Sequence, residues 1–370
     1  MRILLLEPFA SGSHAYFVEV LTREIQADWT LLTLPGRHWK WRMRSSAAYF
    51  SQKYPSELLK THDLLLASSF LPLAELLGLV PPLQKIPSLL YFHENQLAYP
   101  VRTPESQERD HHFGFTQLVS ALAANSCLFN SRFNQDSFLA RGKELLSRMP
   151  DHPPPNWIDT IRSRSKVIPV PLTLPDLPPT PSKRGEDRSK GPIILWNHRW
   201  EHDKNPELFF DVLRILAEDS VPFRLAVCGI CYRESPAIFE QAKQSFSSRI
   251  VHWGSVPDRT AYWKLLQRTH LVVSCARQEF FGLSVLEATH AGAHPVVPDR
   301  LVYPEIYPRE FRYRSRAELV ETLGRICRKW VDGNTIQARQ RQKILAPFLK
   351  ESIIPRFEKH FQETIRNARI

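Results

Sequence analysis

Cysteine is scarce in this chain. The 370 residues contain five, Cys127, Cys228, Cys231, Cys275 and Cys327, too few and too irregularly spaced for the disulfide framework of a secreted scaffold. A reducing, cytoplasmic setting is therefore expected. Long hydrophobic runs are also missing: no segment approaches the roughly 20 apolar residues that span a bilayer, so any membrane association is expected to be peripheral. The opening residues, Met1 to Phe9, carry one basic residue and a short apolar run before Glu7, and they read as a first strand rather than a secretion leader. No internal repeat occurs, and the one biased tract is proline-rich.

What is present fits an ordinary folded protein. Hydrophobic residues make up 43% and charged residues 24%, enough apolar matter for a core and too little charge bias for disorder. The length favours two domains. A net charge of +11 favours a polyanionic partner and leaves nucleic acid and an anionic membrane surface both open. Short apolar runs alternate with amphipathic stretches over residues 1–148, and again over 192–337, which implies parallel sheets built from βαβ units. Between them, residues 149–191 hold ten prolines from Pro150 to Pro181 and read as a linker with an exposed loop. Residues 338–370 read as helical with a break at Pro355, crossing back to the first domain. The expected architecture is α/β, two Rossmann-like doubly wound domains facing a cleft, with ligands at the carboxyl ends of the strands.

The segment from Ser274 to Val297 runs from an apolar strand into two acids, Glu279 and Glu287, around a glycine turn. If a helix opens near Gly282, its first-turn N–H groups suit a diphosphate while the acids accept hydrogen bonds from hydroxyls on either side. Each acid alone has an ordinary explanation, one as a solvated loop acid and the other as a helix N-terminal acid; the combination carries the reading. Cys228 and Cys231 form a lone CxxC without a second pair, His198 and His202 lack a glutamate partner, and His290 and His294 read as structural, so no metal is assigned to any of them.

The run Val251 to Asp258, Tyr262 to Leu266, and the E-x7-E segment with its Phe281-Gly282-Leu283 turn and closing Gly292-x-x-Pro295 resemble the C-terminal half of retaining GT-B glycosyltransferases of the glycogen-synthase-like superfamily. The resemblance implies that Glu279 holds donor-sugar hydroxyls, that Glu287 holds the ribose, and that Phe281, Gly282 and Leu283 line the donor. It also places an Arg and a Lys after the first strand of this half, where Arg199 and Lys204 match. A guanidinium and an ammonium together can stabilise a departing nucleoside diphosphate, so no cofactor and no metal are expected.

The N-terminal half carries the question of the acceptor. Arg37, His38, Trp39, Lys40, Trp41 and Arg42 read as a loop after the second strand, with cations and aromatics interleaved as phosphate contacts and base stacking require. The segments Glu7 to His14, Leu34 to Met43 and Tyr91 to Pro100 resemble the tRNA-queuosine mannosyltransferases. That resemblance implies transfer of mannose from GDP-mannose to the cyclopentenediol of queuosine at the wobble position of tRNA-Asp, with retention, so that the expected partners are a queuosine-containing tRNA and a nucleotide sugar. Within it, Gly12 allows close backbone approach of a ligand, with His14 beside it on the acceptor side and Ser11 or Ser13 capping the following helix. His93 is expected to contact the acceptor, supported by Glu94 and Asn95, and Arg132 to meet a phosphate. The rival readings are a membrane-peripheral transferase acting on a lipid or glycan and a non-catalytic tRNA-binding module.

Overall fold

Strands Leu64–Ser68 and Ser88–Phe92 are buried at every position, as parallel strands covered by helices on both faces must be. They belong to a six-stranded parallel sheet formed by β1 (Arg2–Ala10), β2 (Asp28–Pro35), β3 (Leu64–Ser68), β4 (Ser88–Phe92), β5 (Ser126–Phe129) and β6 (Ser165–Val167), in the order β2-β1-β3-β4-β5-β6. A second six-stranded parallel sheet comprises β7 (Ile193–Asn197), β8 (Arg224–Cys228), β9 (Ile250–Gly254), β10 (Leu271–Val273), β11 (His294–Pro298) and β12 (Arg312–Tyr313), in the order β12-β11-β10-β7-β8-β9. The structure is a computed structural model that describes residues 1–99, 104–177, 190–231, 236–330 and 336–368, with side chains of 104–110 left aside. Pro100 and residues 178–189 of the expected linker lie outside the described residues. No helix among the described residues is long and apolar enough to cross a membrane.

The chain divides into two compact units, one of residues 1–173 with the segment from Phe348 onward, the other Leu174–Pro347. The first unit therefore runs beyond residue 148. The expected linker contains a helix, Trp157–Ser163, and the edge strand β6, which pairs with β5 through Cys127↔Ser165 and Phe129↔Val167. Its prolines sit on either side of these short elements, at Pro153 to Pro155 and at Pro169 and Pro171, where they cost no ladder hydrogen bond.

Nor does Pro355 break the last helix, which runs Lys350–Asn367 with Pro355 inside it. The break falls earlier, where Leu172 N–H donates to Phe348 O (2.8 Å) and Lys350 N–H to Leu172 O (2.9 Å). An internal proline forfeits one helical bond and crowds the preceding turn. Against that cost stands an apolar face of Ile353, Ile354, Phe357 and Phe361, buried on both sides of the proline. His360 Nε2 meets Ser126 Oγ at 2.8 Å, and Arg356 donates to Val167 O at 2.7 Å. Phe357 contacts Phe17 and Tyr91 with ring centroids 5.6 and 5.8 Å away, so the C-terminal helix is part of the first unit's core. Replacing Phe357 by Ala is expected to cost about 3–5 kcal/mol of stability, measurable as a lowered urea midpoint at unchanged slope; an unaltered midpoint would place this helix outside the core.

Candidate active site

In the second sheet the strand order reverses between β7 and β10, and an open α/β sheet binds ligands outside the carboxyl ends of the strands at such a switch point. The loops leaving those two strands carry the expected donor residues. After β7, His198 to Asn205 turns back over the sheet end; after β10, Ser274 to Gly282 leads into the helix Leu283–His290. The loops are tied together by backbone and side chain: Arg277 N–H donates to Asp203 O (2.7 Å) and Lys204 Nζ to Gln278 O (2.9 Å).

Lys204 is buried, at 7% exposure, with its ammonium 3.1 Å from Asp203 Oδ2 and 3.3 Å from Glu279 Oε2. Burial works against its charge, yet Glu279 and Asp203 more than offset this and hold its pKa above the ordinary lysine value. Glu279 mirrors it: burial favours the neutral acid, while Lys204 and the Gly282 and Phe281 N–H groups bring its pKa below the usual carboxylate value. Glu279 Oε1 accepts from Gly282 N–H (3.1 Å) and weakly from Phe281 N–H (3.4 Å). Gly282 has φ 77° and precedes the helix, a left-handed conformation that glycine adopts without strain. One carboxylate thus caps a helix start and anchors a buried cation, while the first N–H groups of that helix have no intrahelical acceptor.

Arg199 lies on the same loop, 41% exposed along its side chain and 3.1 Å from Glu201. His198 is buried, and burial, then the charge of Lys204, lowers its pKa to about 4, so its imidazole is neutral. Gly229 fixes this loop from below: a Cβ there would lie 2.0 Å from His198 O, an approach only glycine permits. Phe281 is buried and Leu283 half-buried beside the turn.

Glu287 is buried on the same short helix. Its oxygens accept from Arg259 Nη2 (2.8 Å) and Tyr262 Oη (2.7 Å), and Asn197 at the end of β7 donates to both Tyr262 Oη (2.8 Å) and Ser284 O (2.9 Å). Arg259 also lies over the rings of Tyr262 and Trp263, 5.0 and 5.1 Å from their centroids. Asn197, Arg259 and Tyr262 were not singled out by sequence, although the segments that begin at Asn197 and at Tyr262 both carried a signal.

In the first sheet the order reverses between β1 and β3. Glu7 near the end of β1, His14 on the helix Gly12–Glu24 and His93 just after β4 converge there, all buried, with candidate ligand atoms within 4.8 Å of one another. Burial, with the neighbouring His14 second, holds the His93 pKa well below the ordinary imidazole value. Neither ring nitrogen of His93 has a hydrogen-bond partner among the described residues. Gly12 has φ 52° at the helix start. Ser11 occupies the cap position without a side-chain cap bond; its carbonyl accepts from His14 and Ala15 instead. Neither Ser11 nor Ser13 therefore caps this helix through its side chain.

Asn95 is fully buried and spends its amide within the unit, donating to Asn134 Oδ1 (2.8 Å) and Ser137 Oγ (3.1 Å) and accepting from Ala98 N–H (2.8 Å). Glu94, half-buried, accepts from Gln96 Nε2 at 3.0 Å. Ser131 caps the helix Arg132–Ser147 through Asn134 N–H, and Arg132 is exposed on its first turn.

The tryptophan and arginine segment is not a loop. A helix, Trp39–Lys53, starts within it, with Met43, Ser46, Ala47 and Phe50 buried at helical spacing. Trp39 packs on Phe113 and Phe70, with centroids at 5.1 and 6.2 Å, and Arg42 turns its guanidinium towards Pro35 O. Trp41 stands 71% exposed, with Arg37, His38 and Lys40 exposed nearby.

The family model described as tRNA-queuosine alpha-mannosyltransferase N-terminal matches residues 2–172, and that described as glycosyl transferases group 1 matches residues 180–339. A Drosophila melanogaster protein named tRNA-queuosine alpha-mannosyltransferase is 40% identical over 333 residues, covering 88% of this chain and 87% of its own length. The chain belongs to the tRNA-queuosine alpha-mannosyltransferase family. Like the group 1 glycosyltransferases whose model it matches, this family member is a glycosyltransferase. Solved structures agree on the fold. Sucrose-phosphate synthase from Thermosynechococcus elongatus superposes with TM-score 0.72 at 13% identity, covering 99% of this chain and all of its own. A UDP-forming trehalose-phosphate synthase from Burkholderia xenovorans gives 0.65 at 12%, covering 100% and 99%. Two Rossmann-like units of this kind make a GT-B fold.

Replacing Glu279 by Gln keeps the cap acceptor but removes the charge opposite Lys204. Sugar transfer is expected to fall by about 10²-fold or more in a variant that still folds, because Asp203 remains 3.1 Å from the ammonium, but with a lowered melting temperature; wild-type turnover in this variant would remove Glu279 from the donor site.

Proposed function

We propose that this glycosyltransferase moves mannose from GDP-mannose to the cyclopentenediol of queuosine at the wobble position of tRNA-Asp, in the cytoplasm and with retention at the sugar carbon. The observation that carries this reading is the match of residues 2–172 to the N-terminal family model, because the donor half is built from features shared among transferases with many acceptors. Arg199 and Lys204 take the diphosphate, Glu279 the sugar hydroxyls, Glu287 the ribose, with Gly12 and the Phe281-Gly282-Leu283 turn against the donor. His93 meets the acceptor, with His14 beside it on the acceptor side. Arg37, His38, Lys40 and Trp41, with Arg132, meet the tRNA.

Retention without an enzyme nucleophile requires the acceptor hydroxyl to attack from the face on which the nucleotide leaves, the departing diphosphate stabilising an oxocarbenium-like carbon. Buried Lys204, charged between two acids, is suited to meet the negative charge that grows on that diphosphate. The diphosphate has cations waiting for it, which supports a transfer that needs no metal there.

The test is to incubate the protein with queuosine-containing tRNA and a panel of nucleotide sugars, then weigh the modified nucleoside by mass spectrometry. A hexose increment from GDP-mannose alone is expected, and an increment from another donor, or none, overturns the assignment. On the tRNA side, replacing Trp41 by Ala is expected to weaken tRNA binding by about 1–3 kcal/mol, the worth of one stacked base, without lowering the melting temperature. Unchanged binding in salt titrations would remove Trp41 from the interface.

A further inference from the structure

Glu7 has no part in the donor chemistry, yet it is among the most completely satisfied acids of the first unit. It is 1% exposed. Oε1 accepts from Phe9 N–H (2.8 Å) and Ser68 Oγ (2.9 Å), while Oε2 lies 3.1 Å from His14 Nδ1. A carboxylate only accepts, so His14 must place its Nδ1–H towards Glu7, which fixes tautomer and ring orientation together. The His14 ring in turn lies against His93, centroids 4.1 Å apart and planes 32° from parallel. Phe17 and Tyr91 also pack against His93, with ring centroids at 4.8 and 4.7 Å.

The result is a buried, neutral imidazole held by three neighbouring rings while its two nitrogens have no hydrogen-bond partner among the described residues. A buried polar group without partners is costly. A neutral imidazole offers one donor and one acceptor, the complement of hydroxyl groups, each of which both gives and takes a hydrogen bond. A metal ion fits less well: two imidazoles bound tetrahedrally at ordinary nitrogen–metal distances hold their ring centroids about 5 Å apart, wider than the 4.1 Å found here.

We propose that Glu7, His14 and His93 form a relay that seats a hydroxyl-bearing ring of the acceptor, His93 touching the hydroxyls and Glu7 and His14 acting as positioning residues behind it. This rests on the reading above that the N-terminal unit carries the acceptor. Ser68 and the Phe9 N–H belong to the relay as the groups that aim the Glu7 carboxylate.

The experiment replaces Glu7 by Gln and by Asp, and Ser68 by Ala, in the full chain. Glu7→Gln is expected to lower kcat by about 10²-fold, the scale of a misplaced reacting group, while tRNA affinity by gel shift and nucleotide-sugar affinity by calorimetry stay at wild-type values. Glu7→Asp recovers part of the loss, and Ser68→Ala, which removes one hydrogen bond only, gives a smaller fall in kcat and covers the case in which Glu7→Gln does not fold. Wild-type kcat in both Glu7→Gln and Ser68→Ala overturns the relay. Weakened nucleotide-sugar binding assigns the hydroxyls to the donor and overturns the acceptor claim, and a stoichiometric metal in the purified protein, lost in Glu7→Gln, replaces it with a metal site. If the wild-type protein modifies no queuosine tRNA, the function proposed above fails; if it does and these variants match it, this inference alone fails.

Discussion

The contact on which the donor end of the second sheet depends is the ion pair between Lys204 and Glu279, 3.3 Å apart and largely out of water. It joins the loop after β7 to the loop after β10, across the point where the strand order reverses. A buried ammonium without partners would lose its proton or pull water in; with Asp203 and Glu279 beside it, it keeps its charge. Removing either partner would leave the other charge stranded, and for that reason the arrangement specifies one geometry of the two loops even where it adds little net stability. Glu279 extends the constraint to the helix Leu283–His290 through the Gly282 N–H, and Asn197 binds the same helix from the strand end through Ser284 O. Both loops and the helix at the switch point are therefore joined by the protein's own contacts.

This end of the molecule was legible because its chemistry is compressed into short segments. Glu279, the Phe281-Gly282-Leu283 turn and Glu287 fall within one strand–turn–helix passage, and Arg199 and Lys204 within another. The partners that complete it were not legible. Arg259 and Tyr262 reach Glu287 from a helix 25 to 28 residues earlier, and nothing in their spacing announces the contact. Glu7 shows the same limit more sharply: His14 and His93 were read from the sequence as acceptor-side residues, but the acid that joins them was not, since β1 and β4 are brought near each other only by the crossovers of a parallel sheet and a lone acid in a first strand carries no pattern of its own.

The misread segments share a different cause, the weight given to local composition over periodicity. Cations and tryptophans from Arg37 to Arg42 looked like loop chemistry, yet Met43, Ala47 and Phe50 continue with helical spacing, and burial of that stripe outweighs a start that has no capping side chain. The division of labour between the tryptophans follows from the helix: Trp39 turns into the domain against Phe113, while Trp41, two residues on, is carried round to solvent. Prolines around residues 153–171 suggested a linker, and Pro355 a helix break, but a three-residue edge strand and a helix with a strongly apolar face both tolerate prolines placed where no essential ladder bond is lost, or where packing exceeds the bond that is.

The two units handle buried polarity in opposite ways, and the contrast matches the ligands proposed for them. A leaving diphosphate gains negative charge during transfer, so the group that meets it must be charged beforehand; Lys204 achieves this by being buried with acids. A hydroxyl is neutral and both donates and accepts, so the group that meets it serves best uncharged; His93 achieves this by being buried among Phe17, Tyr91 and a second imidazole. Exchanging the two environments would defeat both, since a neutral lysine cannot answer a growing charge and a protonated histidine cannot accept a hydrogen bond. The apolar walls around His93 and the carboxylates around Lys204 are thus as much a part of the chemistry as the residues they surround.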